Sequence, residues 1–228
     1  MPARTASKKL AKKNPPVRRN PDASRERILR AATDIFAAQG LDGARVDEIA
    51  TRAGINKRML YHYFGNKDDL FAAVLDELYE TICTESAALD LVSGSPQSSL
   101  KKLVDFVVNF YLENPHAITL LNAENLHRAR HLKISERIRV VQLPFETMLN
   151  ELLMRGVSEG KFRDGVNGAH LYISIAGLIY YYLSNGHSLS VFFDRDFSTE
   201  PKLPHGVRIS MRWWTASLRH EQNQGGRK

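Results

Sequence analysis

Residues 45–67 read RVDEIATRAGINKRMLYHYFGNK, two short amphipathic segments joined through a glycine. In the first, Val46, Ile49, Ala50 and Ala53 recur three and four apart, which gathers apolar side chains on one face of a short helix. Gly54 ends that helix, because glycine adopts the left-handed backbone of a helix C-terminus at little cost. Asn56, two positions on, has the side chain to N-cap a second helix. That helix, Lys57 to Tyr63, sets Leu60 and Phe64 inward and leaves Lys57, Arg58, Met59, Tyr61, His62 and Tyr63 around its remaining surface. The pattern is a helix-turn-helix whose second helix suits a major groove. Short helix pairs about a glycine also occur in helical proteins that touch no nucleic acid, so spacing alone leaves both readings open.

The surrounding residues narrow the choice. The run from Gly40 through Val46, Ile49-Ala50, Ala53-Gly54-Ile55, Leu60-Tyr61, Phe64 and Lys67 to Leu70 resembles the DNA-binding domain of TetR-family transcriptional regulators, over about residues 24–71. The resemblance implies an all-α chain. A three-helix helix-turn-helix domain comes first, and a larger helical domain that binds a ligand and dimerises follows it. By resemblance Tyr61 is a phosphate-contacting tyrosine, His62 and Tyr63 are the variable aromatic pair after it, and Lys67 is a phosphate lysine. Lys67 also stands at a helix start, where unpaired N–H groups and the helix dipole favour a phosphate oxygen.

Position alone puts Lys57, Arg58 and Met59 on the first turn of the recognition helix, the end that reaches base edges. Arg58 can bond a guanine at two points, Met59 can touch a thymine methyl, and Lys57 suits a base or a phosphate. Two residues depart from the family's pattern. Arg45 stands where a threonine usually enters the motif, so a small hydroxyl cap is lost and Asp47 compensates in part. Arg45 is either a phosphate contact or a solvated surface arginine. Arg58 replaces a small or turn-favouring residue, which changes the operator read.

The 228 residues hold one large or two small domains, and 43% apolar content supplies a core. The net charge of +7 is concentrated at the start. Residues 1–21 carry Arg4, Lys8, Lys9, Lys12, Lys13, Arg18 and Arg19 and no acid; removing these seven from 32 basic residues leaves 25, against 25 acidic. This Lys/Arg/Pro/Ala segment reads as a disordered basic arm, either solubilising or lying along DNA. No apolar stretch follows it, which argues against a secretory signal. One cysteine, Cys83, suits a reducing compartment, and cytoplasm is expected. The longest apolar stretch, Leu171 to Leu183, falls about a third short of the roughly 20 residues a membrane span needs.

In order, the sequence predicts a helix after Pro21 capped by Asp22 or Ser24 and ending near Gln39. The helix-turn-helix follows, then a long helix from Asp68 to about Leu89. Further helices are expected from Ser99 to Asn114, His116 to about Leu132, and Glu136 to about Gly156 with a kink or restart at Pro144. Two more are expected, from Asn167 to about Asn185 and from Pro204 or His205 to His220. The domains are then 22–67 for DNA binding and 68–220 for ligand binding and dimerisation, with a disordered tail over 221–228. The helix from Asn167 is apolar nearly all round, as a core helix shared with a subunit interface would be. The resemblance assigns the two-fold pairing to residues about 144–160 and 167–186. A homodimer also suits recognition, because one short helix reads few base pairs.

The resemblance further implies an effector, an unknown small molecule that weakens DNA binding by preferring one arrangement of the domains. Polar residues on otherwise apolar helices are its candidate contacts: Tyr111, Asn122, Asn125, His127 and Tyr172. The segment Tyr180 to Ser190 resembles, more locally, the branch containing the pyrimidine-catabolism regulator. Glu124, His127 and His131, spaced three and four apart, share one helical face, which suits either a divalent metal or, with Arg128 and Arg130 beside them, a solvated surface. The surface reading is preferred and no metal or cofactor is expected. No nucleophile motif, paired acid and base or phosphate-cradling loop points to an enzyme. The reading is a ligand-responsive regulator, with an architectural DNA-binding dimer lacking an effector as the alternative.

Overall fold

A computed structural model describes residues 21–197 and Leu218. The arm expected over 1–21 lies outside these apart from Pro21, and so do the tail over 221–228 and the terminal helix from residue 204, apart from Leu218. The described residues are helical, with an isolated bridge at Phe162 and no strand. The helices are α1 (Pro21–Gly43), α2 (Val46–Arg52), α3 (Lys57–Phe64), α4 (Lys67–Ala87), α5 (Pro96–Glu113), α6 (Pro115–Leu126), α7 (Glu136–Ser158), α8 (Gly168–Ser184) and α9 (Gly186–Phe193).

Local chemistry accounts for most of the boundaries. Ser95, Ser135 and Asn167 cap α5, α7 and α8 by accepting backbone N–H bonds, and Pro96 and Pro115 open α5 and α6, where a missing N–H costs nothing. Asn66 and Asp69 form a reciprocal capping box at the start of α4. In α1, Pro21 is already helical, so Asp22 and Ser24 lie inside the first turn, not ahead of it. Gly40, at φ 69°, breaks the end of that helix as expected.

Three expectations are corrected. The helix expected to reach Leu132 stops at Leu126, because Arg128 (φ 59°) and Ala129 (φ 55°) take left-handed backbone and a short 3-10 turn, Leu132–Ile134, follows. Helix α7 runs unbroken through Pro144, which excludes the restart, one of the two alternatives expected there. Pro144 is exposed, so water can satisfy the carbonyl that its missing N–H leaves. The sequence predicts no helix between Asn185 and residue 204, but the eight-residue α9 forms there and ends at Asp194 in the left-handed conformation.

The core is continuous from the first helices into the larger bundle. Ile28, Ala32, Phe36, Ile49 and Leu60 bury the N-terminal bundle, and Leu70, Phe71 and Leu75 carry that interior along α4. Phe36 and Phe71 meet edge to face at 5.0 Å. Each such fully buried side chain contributes about 1.5–3 kcal/mol of hydrophobic stabilisation. α1 packs on α4 and α6, α4 on α7, and α5 on both α7 and α8. The Arg155 guanidinium of α7 ties down the loop before α5, donating to the Leu91 carbonyl at 2.7 Å and to Ser99 Oγ at 3.0 Å.

Candidate nucleic-acid interface

The turn between α2 and α3 is built as its residues dictate. Gly54 sits at φ 66°, in the left-handed region that favours glycine. Its N–H bonds the Thr51 carbonyl at 3.1 Å, and the Ile55 N–H bonds that of Ala50 at 3.0 Å. Asn56 Oδ1 accepts from the Met59 N–H at 2.8 Å, the expected N-cap. Ile49 and Leu60 are fully buried, so the outer surface of α3 is fixed by what lies beneath it.

On that surface Arg58 and His62 are exposed, Tyr61 is 40% exposed, and Met59 and Tyr63 are half-buried. The His62 and Tyr63 rings meet edge to face at 5.8 Å. Lys57 Nζ is held by Asp47, which raises its pKa chiefly through that hydrogen bond. Arg45 is exposed and extended and makes no side-chain cap, as the missing threonine implied. The Arg52–Asp34 pair at 2.7 Å and the Gln39–Glu48 hydrogen bonds at 2.9 and 3.1 Å brace α2 against α1.

Lys67 carries a feature the sequence did not disclose. Its ammonium donates to the carbonyls of Asp42 and Ala44, both at 3.3 Å, and so ties the start of α4 to the turn before α2. Asp68 and Asp69 occupy the same first turn of α4, so the helix dipole there already has carboxylate partners.

Behind this domain a buried cluster joins α6 to α4. Glu124, 1% exposed, accepts from the N–H groups of His131 and Leu132 at 2.9 and 3.1 Å and faces His131 Nδ1 at 2.5 Å. His131 Nε2 lies 3.3 Å from Asp68, which also pairs with Arg130. His127 Nε2 is 3.7 Å from Asp42. The solvated helical face expected for Glu124, His127 and His131 is therefore incorrect: the helix has ended, and His131 is only 5% exposed. Among the described residues no group of three or more His, Cys, Asp or Glu is arranged to hold a metal ion.

The five pocket candidates divide. Tyr111 packs edge to face on Tyr180 at 6.0 Å, and the Tyr180 hydroxyl donates to Asn122 Oδ1. Tyr172 packs on Phe145 at 5.1 Å. Burial, reinforced by neighbouring Tyr180, pushes the Tyr111 phenol up to about 12, and burial followed by Tyr111 and Tyr79 raises that of Tyr172. Asn125 lies apart, exposed and bonded to the Leu121 carbonyl of its own helix at 2.8 Å, and His127 faces Asp42. Tyr79 and Cys83 of α4 join the cluster unannounced. Burial pushes the Tyr79 phenol up to about 12, with Tyr111 the next cause. The available signal was their place on the α4 stripe Phe71, Leu75, Tyr79, Cys83, four residues apart.

Two family models match the chain. That for bacterial regulatory proteins of the tetR family matches residues 28–74, and that for the tetracyclin repressor-like C-terminal domain matches residues 96–209. The HTH-type transcriptional repressor NicS of Pseudomonas putida is 37% identical over 177 residues, 78% of this chain and 84% of its own. The HTH-type transcriptional repressor SCO4008 of Streptomyces coelicolor is 36% identical over 149 residues, 64% of this chain and 67% of its own. Among solved structures, the fatty acid degradation regulator FadR from Bacillus halodurans shares the fold, with a TM-score of 0.61 at 22% identity over 92% of this chain and all of that one.

Proposed function

The chain belongs to the TetR family of bacterial regulatory proteins, and on that premise we propose that it is a ligand-responsive repressor, a homodimer that binds a palindromic operator and is released by a small-molecule effector. It is a DNA-binding regulator and not an enzyme. The observation that carries the reading is the Asn56-capped α3, anchored by Leu60 and Phe64, with Arg58, Tyr61 and His62 turned outward. In this reading Arg58 reads bases with Met59 beside it, Lys57 suits a base or a phosphate, Tyr61 and Lys67 meet phosphates, Arg45 stands within reach of the same backbone, and His62 and Tyr63 complete the DNA-facing set. Residues 22–67 form the DNA-binding domain and 68–220 the effector and dimer domain.

Two observations support the larger domain's role. Ile173, 62% exposed, and Tyr181, 60% exposed, lie two turns apart on α8 beside Leu178, and α7 exposes Val140, Leu143 and Met154. Such an apolar surface suits a second copy. Tyr79, Tyr111 and Tyr172 place three phenols among apolar helices, the composition of a small-molecule site. No helix among the described residues is long and apolar enough to cross a membrane; DNA as partner makes the cytoplasm the working compartment in this reading.

Selection from a random DNA library tests it. A two-fold-symmetric site with half-sites about one helical turn apart, or a multiple, is the expected result. Enrichment of no sequence would overturn the reading, and a thermal-shift screen that finds no stabilising compound would leave the architectural alternative.

A further inference from the structure

The two cations that open α3 are not equivalent. Lys57 Nζ reaches both oxygens of Asp47, at 3.0 Å and 3.1 Å, and lies 5.9 Å over the Tyr61 ring. Arg58, next to it, is exposed and has no ion pair among the described residues. Asp47 belongs to the first turn of α2, so the contact spans the motif from one helix N-terminus to the other.

We propose that Asp47 is a positioning residue for specificity: it withholds Lys57 from sequence-blind phosphate contact and leaves Arg58 as the cation free to probe base edges. The inference rests on α3 being the recognition helix. Non-specific affinity scales with the number of phosphates a protein neutralises, because each one releases condensed counterions. A lysine already paired with a carboxylate adds to that number only when the pair opens. The pair is exposed and weak, so it does not prevent binding; it lowers the return on contacts that carry no sequence information. Its place over the Tyr61 ring adds direction, because the lysine stem lies along the helix surface and the ammonium is turned toward α2.

Glu48 supplies an internal control. It is the neighbouring acid of the same first turn, but its carboxylate takes Gln39 Nε2 and not Lys57. Any effect of removing a negative charge from this end of α2 appears at both positions, whereas release of Lys57 appears only at Asp47.

The test compares wild type and Asp47→Asn on the duplex returned by DNA selection and on a shuffled duplex of the same composition, across a salt series. On the shuffled duplex the variant should bind about two- to fivefold tighter, with a salt slope steeper by about one. The gain on the selected duplex should be smaller, and Asp47→Ser should reproduce both effects. In a Lys57→Ala background Asp47→Asn should change neither affinity nor slope, and Glu48→Gln should leave the slope as it was. A gain that persists without Lys57 would overturn the proposal in favour of plain repulsion between Asp47 and phosphate. Equal gains on both duplexes, or an unchanged slope, would also overturn it. Wild-type protein that binds neither duplex would defeat the regulator reading itself, a separate outcome.

Discussion

The Glu124 carboxylate and the His131 imidazole, seven residues apart in sequence, meet at 2.5 Å where the turn after α6 packs on α4. Glu124 also accepts from two backbone N–H groups there, so its removal leaves both without that acceptor and takes the facing carboxylate from His131. Glu124→Ala is expected to cost about 3 kcal/mol of folding stability, the order of a broken buried pair. A urea titration checks it, and a midpoint within error of wild type would show that the cluster contributes nothing.

The DNA-reading residues separate by their effect on specificity. Arg58→Ala should relax base preference at one position of each half-site by about 1–3 kcal/mol. Lys67→Ala should weaken binding to every sequence alike, since in the proposed reading it meets a phosphate and no base, and since it also loses the tie to the Asp42 and Ala44 carbonyls. Repeating the selection with each variant distinguishes them; a uniform loss from Arg58→Ala would remove it from the base-reading role.

Gly54→Ala tests the turn. A non-glycine residue at φ 66° costs about 1–2 kcal/mol, although a methyl there meets nothing within 4 Å. The penalty is therefore backbone strain and not a clash. Thermal melting should show a lowered Tm, and Asn56→Ala, losing only the cap, should cost about 1 kcal/mol.

Dimerisation should depend on the apolar face of α8. Placing a charge there with Ile173→Asp or Tyr181→Asp should leave helix content unchanged, because both side chains are largely exposed. Sedimentation should then report a monomer, with operator affinity falling steeply. A variant that stays dimeric would move the interface elsewhere.

Alkaline pH should weaken the fold through the buried phenols. Tyr79 and Tyr111 are pushed from 10.0 up to about 12. Between those values the unfolded chain has lost protons that the folded one keeps, so stability falls as pH rises from about 10 to about 12 and is insensitive to these groups below that. Urea midpoints across this range should decline less steeply in Tyr79→Phe.

The elements legible in the sequence are those set by neighbours along the chain. Gly54, Asn56, Leu60 and the boundaries at Pro115 and Asn167 follow from local capping and periodicity, and they fall where expected, whereas α5 begins at Pro96 behind a Ser95 cap, three residues ahead of the expected Ser99. The end of α6 does not, because nothing near Arg128 or Ala129 signals a break: no glycine or proline stands there. A buried carboxylate gathering N–H groups from His131 and Leu132 holds the chain in that turn. The resemblance and the helix start mark Lys67 as a phosphate contact, whereas its carbonyl partners lie 23 and 25 residues back and leave no local signal. Asn122 came to the phenol cluster only through Tyr180, 58 residues on.

The tether from Lys67 to the Asp42 and Ala44 carbonyls has a mechanical consequence. It joins the root of α4 to the turn that leads into α2, so that in the proposed regulator the two would swing as one piece. With 21 residues α4 is a lever about 31 Å long. A tilt of roughly 5° about one end displaces the other by about 3 Å, close to the rise of one base pair. In the proposed effector-responsive dimer, small repacking around Tyr79 and Cys83 would thus be geared up into a change of reach between paired recognition helices, without any bend inside the motif they carry.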